Sequence, residues 1–354
     1  MSFLLIATVV LVFVVIFQIA KASEYVSVLK GEEKSREQSN RINGFLMLAF
    51  LIVGLIGVYW CNELLYKKTL MPMTSASKEG ENIDLMLKIT FAITGVVFII
   101  TQVLLFYFAF RYQARPGRKA LFLPHNNKLE VIWTVVPAVF LLVLVVFGLK
   151  YWFHITGEAP KDSIQVEITG KQFNWIYRYP GADGKFGKTY FRNISDIGNN
   201  PLGQLWDDST NKDDIVITTT EMHIPVNHPV KLIIHSRDVI HDVGLSQFRM
   251  KMDAVPGIPT TMWFTPQFTT EEMKKMTGNP DFAYEISCDQ LCGPGHYSMR
   301  GVIVVESDAE YKKWLDAQSP NYYTVFPDKK PGGVPAHIAA TAAPAGTAGT
   351  GGKQ

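Results

Sequence analysis

Residues 131–149 read VIWTVVPAVFLLVLVVFGL. The run carries no charged side chain and, as a helix, is long enough to cross about 30 Å of hydrocarbon. It also lacks the polar stripe that a buried helix of a soluble core keeps toward water. Lys150 ends it, and beyond that point the chain changes character. Three further stretches without Asp, Glu, Lys or Arg precede it: Met1–Ala20, Ile42–Asn62 and Ile89–Phe110. Four membrane helices are expected.

Orientation follows from charge and parity. The loop 111–130 has Arg111, Arg115, Arg118, Lys119 and Lys128 against the single acid Glu130, which marks it as cytoplasmic. Loops 21–41 and 63–88 discriminate less, with five and four Lys/Arg. Ala20-Lys21-Ala22 resembles a signal-peptide cleavage site, yet no basic residue precedes the apolar run. If the first segment is retained and the N-terminus is external, everything after Lys150 is exported; if it is cleaved, three crossings would leave that half in the cytoplasm. The basic loop favours the exported arrangement.

The second half has the pattern of a β-domain. Short runs rich in Val, Ile, Thr and aromatics alternate with turn residues: Ile164–Thr169, Phe173–Tyr179, Ile215–Thr220, Val230–Ser236, Ala283–Ser287 and Val302–Glu306. They predict a small sandwich or barrel, closed by an amphipathic helix near Asp308–Ala317. Between Pro180 and Asp214 a polar, turn-rich insertion is expected to form a surface loop. The tail 331–354, almost wholly Pro, Gly, Ala and Thr, cannot bury enough apolar area to offset its ordering entropy and is expected to be disordered. Residues 151–330 hold 18 basic and 23 acidic side chains, a net of −5, against +7 for the rest. That balance excludes nucleic acid as the partner of the exported domain and favours a basic protein.

Chemistry concentrates in Cys288-Asp-Gln-Leu-Cys292-Gly-Pro-Gly-His296-Tyr-Ser-Met299. Two thiols, an imidazole and a thioether lie within twelve residues. Soft sulfur with imidazole selects copper or zinc, and the thioether argues against zinc. A mononuclear blue-copper site needs one Cys, so the second Cys points to two ions sharing bridging thiolates. A second imidazole is then required, and His241, after the strand Val230–Ser236, is the best candidate. A disulfide between Cys288 and Cys292 is the competing reading in an oxidising compartment. The remaining histidines (125, 154, 223, 228, 235 and 337) read as structural or solvent-facing. There is no C-x-x-C-H haem-attachment motif.

From about Ile83 to Ser307 the sequence resembles subunit II of the cytochrome c oxidases. The resemblance rests on C-x-x-x-C-x-x-x-H-x-x-M, preceded by Asp238-Val-Ile-His241, and on Lys251-Met-Asp253-Ala-Val-Pro256-Gly257. In the membrane part it rests on Leu129-Glu130-Val-Ile-Trp133-Thr134-Val-Val-Pro137. It implies a transmembrane hairpin at 83–153, a cupredoxin-like copper sandwich at 154–330 and an extra transmembrane pair at 1–62, in a bacterial inner membrane with the copper domain on the periplasmic face. It implies a centre of two copper ions bridged by Cys288 and Cys292. His241 and His296 would bind one ion each, Met299 would be a weak axial ligand, and Gln290 would supply a backbone carbonyl. The chain would pass electrons from a cytochrome c-type donor to a haem-copper catalytic subunit that reduces oxygen and pumps protons, alone or within a respiratory supercomplex. The Glu130 position lies, in the family, at a proton-channel entrance.

Three positions depart from the family. Phe173, in Gly170-Lys-Gln-Phe173-Asn-Trp175, stands where a Trp is usually assigned to electron entry, and Trp175 follows two residues later. If Phe173, Trp175, Tyr177 and Tyr179 reach the surface, acids such as Asp207, Asp208, Asp213 and Asp214 would rim a docking patch; otherwise the row belongs to the core. Gln290 replaces a Glu that helps to hold an interfacial magnesium ion, which weakens the expectation of that metal. The extra helix pair exceeds the family's usual two. Two rival readings are a quinol-oxidase-type scaffold, which lacks copper ligands, and a membrane-tethered copper-delivery or thiol-redox protein, which has no use for His241, His296 and Met299 together.

Overall fold

In hydrocarbon every backbone polar group must find its partner within the segment, so charge-free runs of this length form helices. The computed structural model describes residues 2–69 and 73–331; the tail expected to be disordered lies, from residue 332 onward, outside them. Four long apolar helices are present, α1 (Ser2–Lys30), α2 (Glu32–Leu65), α3 (Lys78–Arg111) and α4 (Asn127–Thr156). All four are long and apolar enough to span a membrane. Large side chains such as Phe13, Phe50, Phe91 and Leu142 stand exposed on them, as lipid-facing residues do. Thr94 and Thr101 return their hydroxyls to the carbonyls of Thr90 and Val97, both at 2.8 Å, which pairs these two donors within their own helix.

The segment 21–41 is not the loop expected from its charge. α1 runs on to Lys30 and α2 starts at Glu32, so helix continues on both sides of Gly31, whose φ of 82° breaks the path. Only glycine takes that conformation without strain. At 1.5 Å per residue, helices of 29 and 34 residues are about 44 and 51 Å long. Both exceed the hydrocarbon thickness of about 30 Å, so the charged stretch continues the two helices on either side of Gly31.

Among the described residues the chain forms two compact units, one within Met1–Pro72 and Leu87–Leu144, the other within Met73–Met86 and Val145–Gln354. In the second, ten strands build two five-stranded sheets. One has the order β3 (Ile215–Ile217), β2 (Asn174–Tyr179), β1 (Ile164–Lys171), β5 (Val230–Ser236), β8 (Thr260–Phe264). The other runs β4 (Glu221–Pro225), β10 (Arg300–Glu306), β9 (Tyr284–Cys288), β6 (His241–Leu245), β7 (Met250–Ala254). Strands β1 with β5 and β4 with β10 pair in parallel; the rest pair antiparallel. The core between them is Val166, Ile168, Tyr177, Leu232, Ile234, Val243, Phe248, Phe264, Tyr284, Ile286 and Ile303, each fully buried. Capping boxes at Thr269 and Ser307 start two helices, α5 (Thr270–Thr277) and α6 (Asp308–Ala317).

Residues 73–86 are bound into this unit rather than forming a free connection. Ala76 and Lys78 donate backbone hydrogen bonds to Gln247 and Thr265, and Gln267 donates to Ala76. The buried Glu79 carboxylate accepts from the Thr265 N–H at 2.8 Å, and Arg249 pairs with Asp84 at 2.8 Å. Since the sheet unit is the exported domain, these residues are outside too. Parity then places 111–130 in the cytoplasm.

The insertion also departs from expectation. It is a polar-cored lobe, not a loose surface loop. The Arg178 guanidinium, 1 % exposed, pairs with Glu167 at 2.9 Å and with Asp214, and donates to Asn211 at 2.9 Å and to the Gly187 carbonyl. Asn211 in turn donates to the carbonyls of Lys188 (2.7 Å) and Leu205 (2.8 Å).

Candidate metal centre

The site grows from one turn-rich connection. β9 ends at Cys288, the chain loops through a short 3₁₀ turn at His296–Ser298, and β10 starts at Arg300. The loop is pinned by its own backbone: Cys288 N–H donates to the Met299 carbonyl (3.1 Å), His296 to Gly293 (3.1 Å) and Met299 to His296 (3.2 Å). Beside it, His241 opens β6, whose Val243 lies opposite Cys288. One loop and one strand start therefore bring together all six residues singled out in the sequence.

The thiols lie 3.8 Å apart, far beyond the roughly 2.05 Å of a disulfide, and both are free. His241 Nδ1 is 3.8 Å from Cys288 Sγ, and His296 Nδ1 is 3.8 Å from Cys292 Sγ. Met299 Sδ lies 3.9 Å from Cys292 Sγ, and the Gln290 carbonyl oxygen 3.2 Å from Cys288 Sγ. The donor atoms of His241, Cys288 and Cys292 all fall within 4.8 Å of one another. The donors divide into two sets, each with one imidazole and one weak donor beside a thiol. Two sets about a shared sulfur pair fit two small soft cations better than a single closed tetrahedral zinc. Burial and the adjoining Cys288 thiol push the Cys292 thiol up to about 11, so the Cys292 thiolate persists here only with a cation beside it.

The second layer fixes the imidazole. His241, fully buried, has Nε2 2.7 Å from Asp238 Oδ1, which puts the proton on Nε2 and turns the Nδ1 lone pair toward sulfur. Burial works against ionising Asp238, but hydrogen bonds from Gln172, His241 and Val239 prevail and hold its carboxyl below the ordinary value. On the far side of β6, burial and the neighbouring Asp253 push Asp242 up to about 7.

Phe173 sits on the metal loop. A Cβ at Gly295 would overlap its ring, and one at Gly293, whose φ is 137°, would meet it at 3.1 Å. Gln172 Nε2 donates to the Cys292 carbonyl at 2.6 Å. Trp175 lies behind His241, with ring centroids 6.0 Å apart and 2 % of its surface exposed. Trp175, Tyr177 and Tyr179 are a buried aromatic row in β2. Of the two readings the sequence left open, these three rings take the core one, so the acids have no exposed patch of the row to rim. Asp214 is buried on Arg178, Asp208 accepts from the N–H groups of Lys188 and Thr210, and Asp213 accepts from Asp183. These acids hold the insertion lobe together.

Four apolar residues not singled out in the sequence are exposed near the donor residues. Leu291 and Tyr297 are 79 % and 89 % exposed, and Val239 and Ile240 are exposed beside His241. Each is an immediate or near neighbour of a donor residue. Apolar residues at loop tips were the available signal, since such positions are ordinarily polar. Glu130, in the first turn of α4, accepts from the Asn126 N–H at 3.2 Å, and Asn126 Oδ1 accepts from Leu129. That is a helix-capping arrangement.

Residues 66–151 match the family profile "Cytochrome C oxidase subunit II, transmembrane domain", and residues 164–307 match "Cytochrome C oxidase subunit II, periplasmic domain". The alternative cytochrome c oxidase subunit 2 of Bradyrhizobium diazoefficiens is 38 % identical over 236 residues, covering 67 % of this chain and 80 % of that protein. Cytochrome c oxidase subunit 2 of Cereibacter sphaeroides is 28 % identical over 230 residues, covering 63 % and 72 %. A crystal structure of the periplasmic domain of subunit II of cytochrome oxidase from Bradyrhizobium japonicum aligns with 45 % of this chain and 95 % of its own, at 28 % identity and a TM-score of 0.30. α1 and α2 lie outside both matched stretches.

Proposed function

Because the chain belongs to the subunit II family of cytochrome c oxidases, we propose that Cys288 and Cys292 bridge two copper ions, with His241 and His296 as terminal ligands. Met299 and the Gln290 carbonyl complete the set as weak donors. A binuclear copper centre is the family's cofactor, and the chain is the electron-entry subunit of a membrane oxidoreductase that works with a haem-copper catalytic subunit. The observation that carries the residue assignment is the division of donors about sulfurs 3.8 Å apart. A copper pair bound there would take up one electron at a time and pass it on. The protein's part is to keep that site dry and rigid. Burial of His241, Cys288, Cys292 and Met299 excludes water, and Asp238 and Gln172 hold imidazole and loop in place. The intact donor set also disfavours a quinol-oxidase-type scaffold.

The donor is a cytochrome c-type protein, engaged alone or within a larger respiratory assembly, and it docks on Val239, Ile240, Leu291 and Tyr297, with the electron entering by Phe173, which lies against Gly293 and Gly295 of the metal loop. Exposed apolar side chains over a buried redox site suit brief contact at short range. In rapid mixing of the assembled oxidase with a reduced cytochrome c, Phe173→Ala and Leu291→Ser are each expected to lower the second-order rate about tenfold, a loss of ~1.4 kcal/mol, with copper content unchanged. Wild-type rates at all salt concentrations would mean entry elsewhere, through a permanently bound partner.

Glu130 serves proton uptake on the cytoplasmic side in addition to capping α4. An acid at the start of a membrane helix, held by a single backbone hydrogen bond, keeps one oxygen available. Glu130→Gln retains a capping oxygen but no titratable proton. Slower proton uptake at unaltered copper content is the expected result; an unchanged rate would restrict Glu130 to capping.

A further inference from the structure

We propose that the cytoplasmic ends of α2 and α3 form a binding site for the phosphodiester of an anionic phospholipid. The two helices lie side by side there. Gly44 is buried against Gln113 and Phe110, where an added Cβ would come within 2.9 Å of Gln113 Nε2. Phe45 meets Phe110 edge-on at 5.1 Å, and Phe50 meets Phe106 at 5.6 Å. Just beyond, Asn40 donates to the Ala114 carbonyl at 3.4 Å, and the chain turns back at Arg115-Pro-Gly-Arg118. Gly117 has φ 77°, and Arg118 N–H donates to Arg115 O at 3.1 Å. A proline followed by a positive-φ glycine is the sequence of a type II turn, which sets its first and last residues close together. Here those residues are Arg115 and Arg118.

A cavity of about 480 Å³ opens at this point, lined by Arg36, Arg115, Arg118 and Lys119 with Glu33 and Glu37. A second, of about 280 Å³, adjoins it through Glu37 and Arg115 and carries Arg41, Phe45 and Phe110. Polar and basic walls thus give way to aromatic ones along the helices. None of the ion pairs among the described residues engages Arg36, Arg41, Arg115 or Lys119. The depth fits as well. Arg41 and Arg36 lie one and six residues before Ile42, where the charge-free run of α2 begins, or about 2 and 9 Å along the helix, and so bracket the headgroup layer. The headgroup layer is roughly 5–8 Å deep on each side of the hydrocarbon.

The ligand class follows from the charges. Arginine forks hold phosphate oxygens in pairs of hydrogen bonds, and basic pockets on the cytoplasmic side of membrane helices take anionic headgroups. The four cations of the larger cavity outnumber its two acids, so a zwitterionic lipid would leave positive charge uncompensated. Glu33 and Glu37 can accept hydrogen bonds from headgroup hydroxyls and would oppose a free phosphate dianion. The α2 wall of the site, with Arg36 and Arg41, lies outside the stretches matched to the family, and the Phe110–Lys119 wall lies within the transmembrane match.

The test is retention of lipid by the full chain. The protein is reconstituted in dioleoylphosphatidylcholine vesicles containing minor, equal fractions of dioleoylphosphatidylglycerol and dioleoylphosphatidylethanolamine, then exchanged into detergent, and bound lipid is counted by mass spectrometry. Wild type is expected to retain phosphatidylglycerol about tenfold over the other two lipids. The double variant Arg115→Gln, Arg118→Gln should lose that enrichment, as should Arg36→Gln, which changes only an exposed helix position. Lys21→Gln with Lys30→Gln, on α1 and outside both cavities, should keep it. The proposal is overturned if phosphatidylglycerol is not enriched, if the cavity variants retain it, if the control loses it equally, or if millimolar inorganic phosphate displaces it.

Discussion

Cys288→Ser is expected to lower the metal content of the full chain from two copper ions to at most one, and to abolish the paramagnetic signal of a spin shared between two copper nuclei. The reasoning is geometric. Cys288 Sγ lies 3.8 Å from both the His241 imidazole and Cys292 Sγ, and 3.2 Å from the Gln290 carbonyl, so it belongs to both halves of the donor set. Serine offers a harder oxygen that is not ionised at neutral pH and does not bridge soft ions. Asp238→Asn provides a graded comparison. It leaves every donor in place but disturbs the hydrogen bond that turns His241 Nδ1 toward sulfur, and it should weaken copper binding about 10- to 100-fold, as outer-layer changes do. Elemental analysis with electron paramagnetic resonance separates the outcomes. A Cys288→Ser protein that still holds two coppers, or a wild type that holds only zinc, would refute the assignment.

The second large effect lies away from the metal. Arg178→Met is expected to destabilise the exported domain by about 3–5 kcal/mol, because it leaves Asp214 buried without its counter-charge and Glu167 with only the His235 imidazole, 3.1 Å away. For a domain of this size that is a fall of about 6–20 °C in Tm. Removing the two acids together with the arginine, as Arg178→Met, Glu167→Gln, Asp214→Leu, should restore much of the loss, since a buried ionic cluster is worth little against a well-packed apolar one. A calorimetric difference below about 1 kcal/mol for Arg178→Met would show that water reaches the cluster.

What the sequence revealed, and what it concealed, divides along physical lines. The membrane helices were plain because their signal is an absence of charge over twenty residues, yet charge also hid the helical continuation from Lys21 to Arg41, where polar residues suggested loop. Strands such as Val230–Ser236 announced themselves by β-branched residues. β6, with sequence HDVGL, and β7, with MKMDA, did not. β6 is buried along its length and begins with a donor residue, so the requirements of the site override strand propensity. The Cys288–Met299 cluster was legible since its donors are contiguous. The acids of the insertion were misread because a sequence shows charge but not the buried arginine that uses it, and the exposed apolar neighbours of the donors were passed over as ordinary loop residues.

The clasp formed by residues 73–86 bears on how the protein is made. Ala76, Lys78 and Glu79 complete hydrogen bonds with Gln247, Thr265 and Gln267, which are synthesised after two further membrane crossings. This short stretch must therefore be translocated first and stay unpaired outside while α3 and α4 insert. The sandwich closes around it only when β8 has followed. A fragment that begins at residue 154 would leave those backbone groups facing water, so the boundary of the folding unit does not coincide with the boundary between membrane and exported sequence. Insertion of α3 and α4 is, in effect, an early step in the maturation of the redox domain.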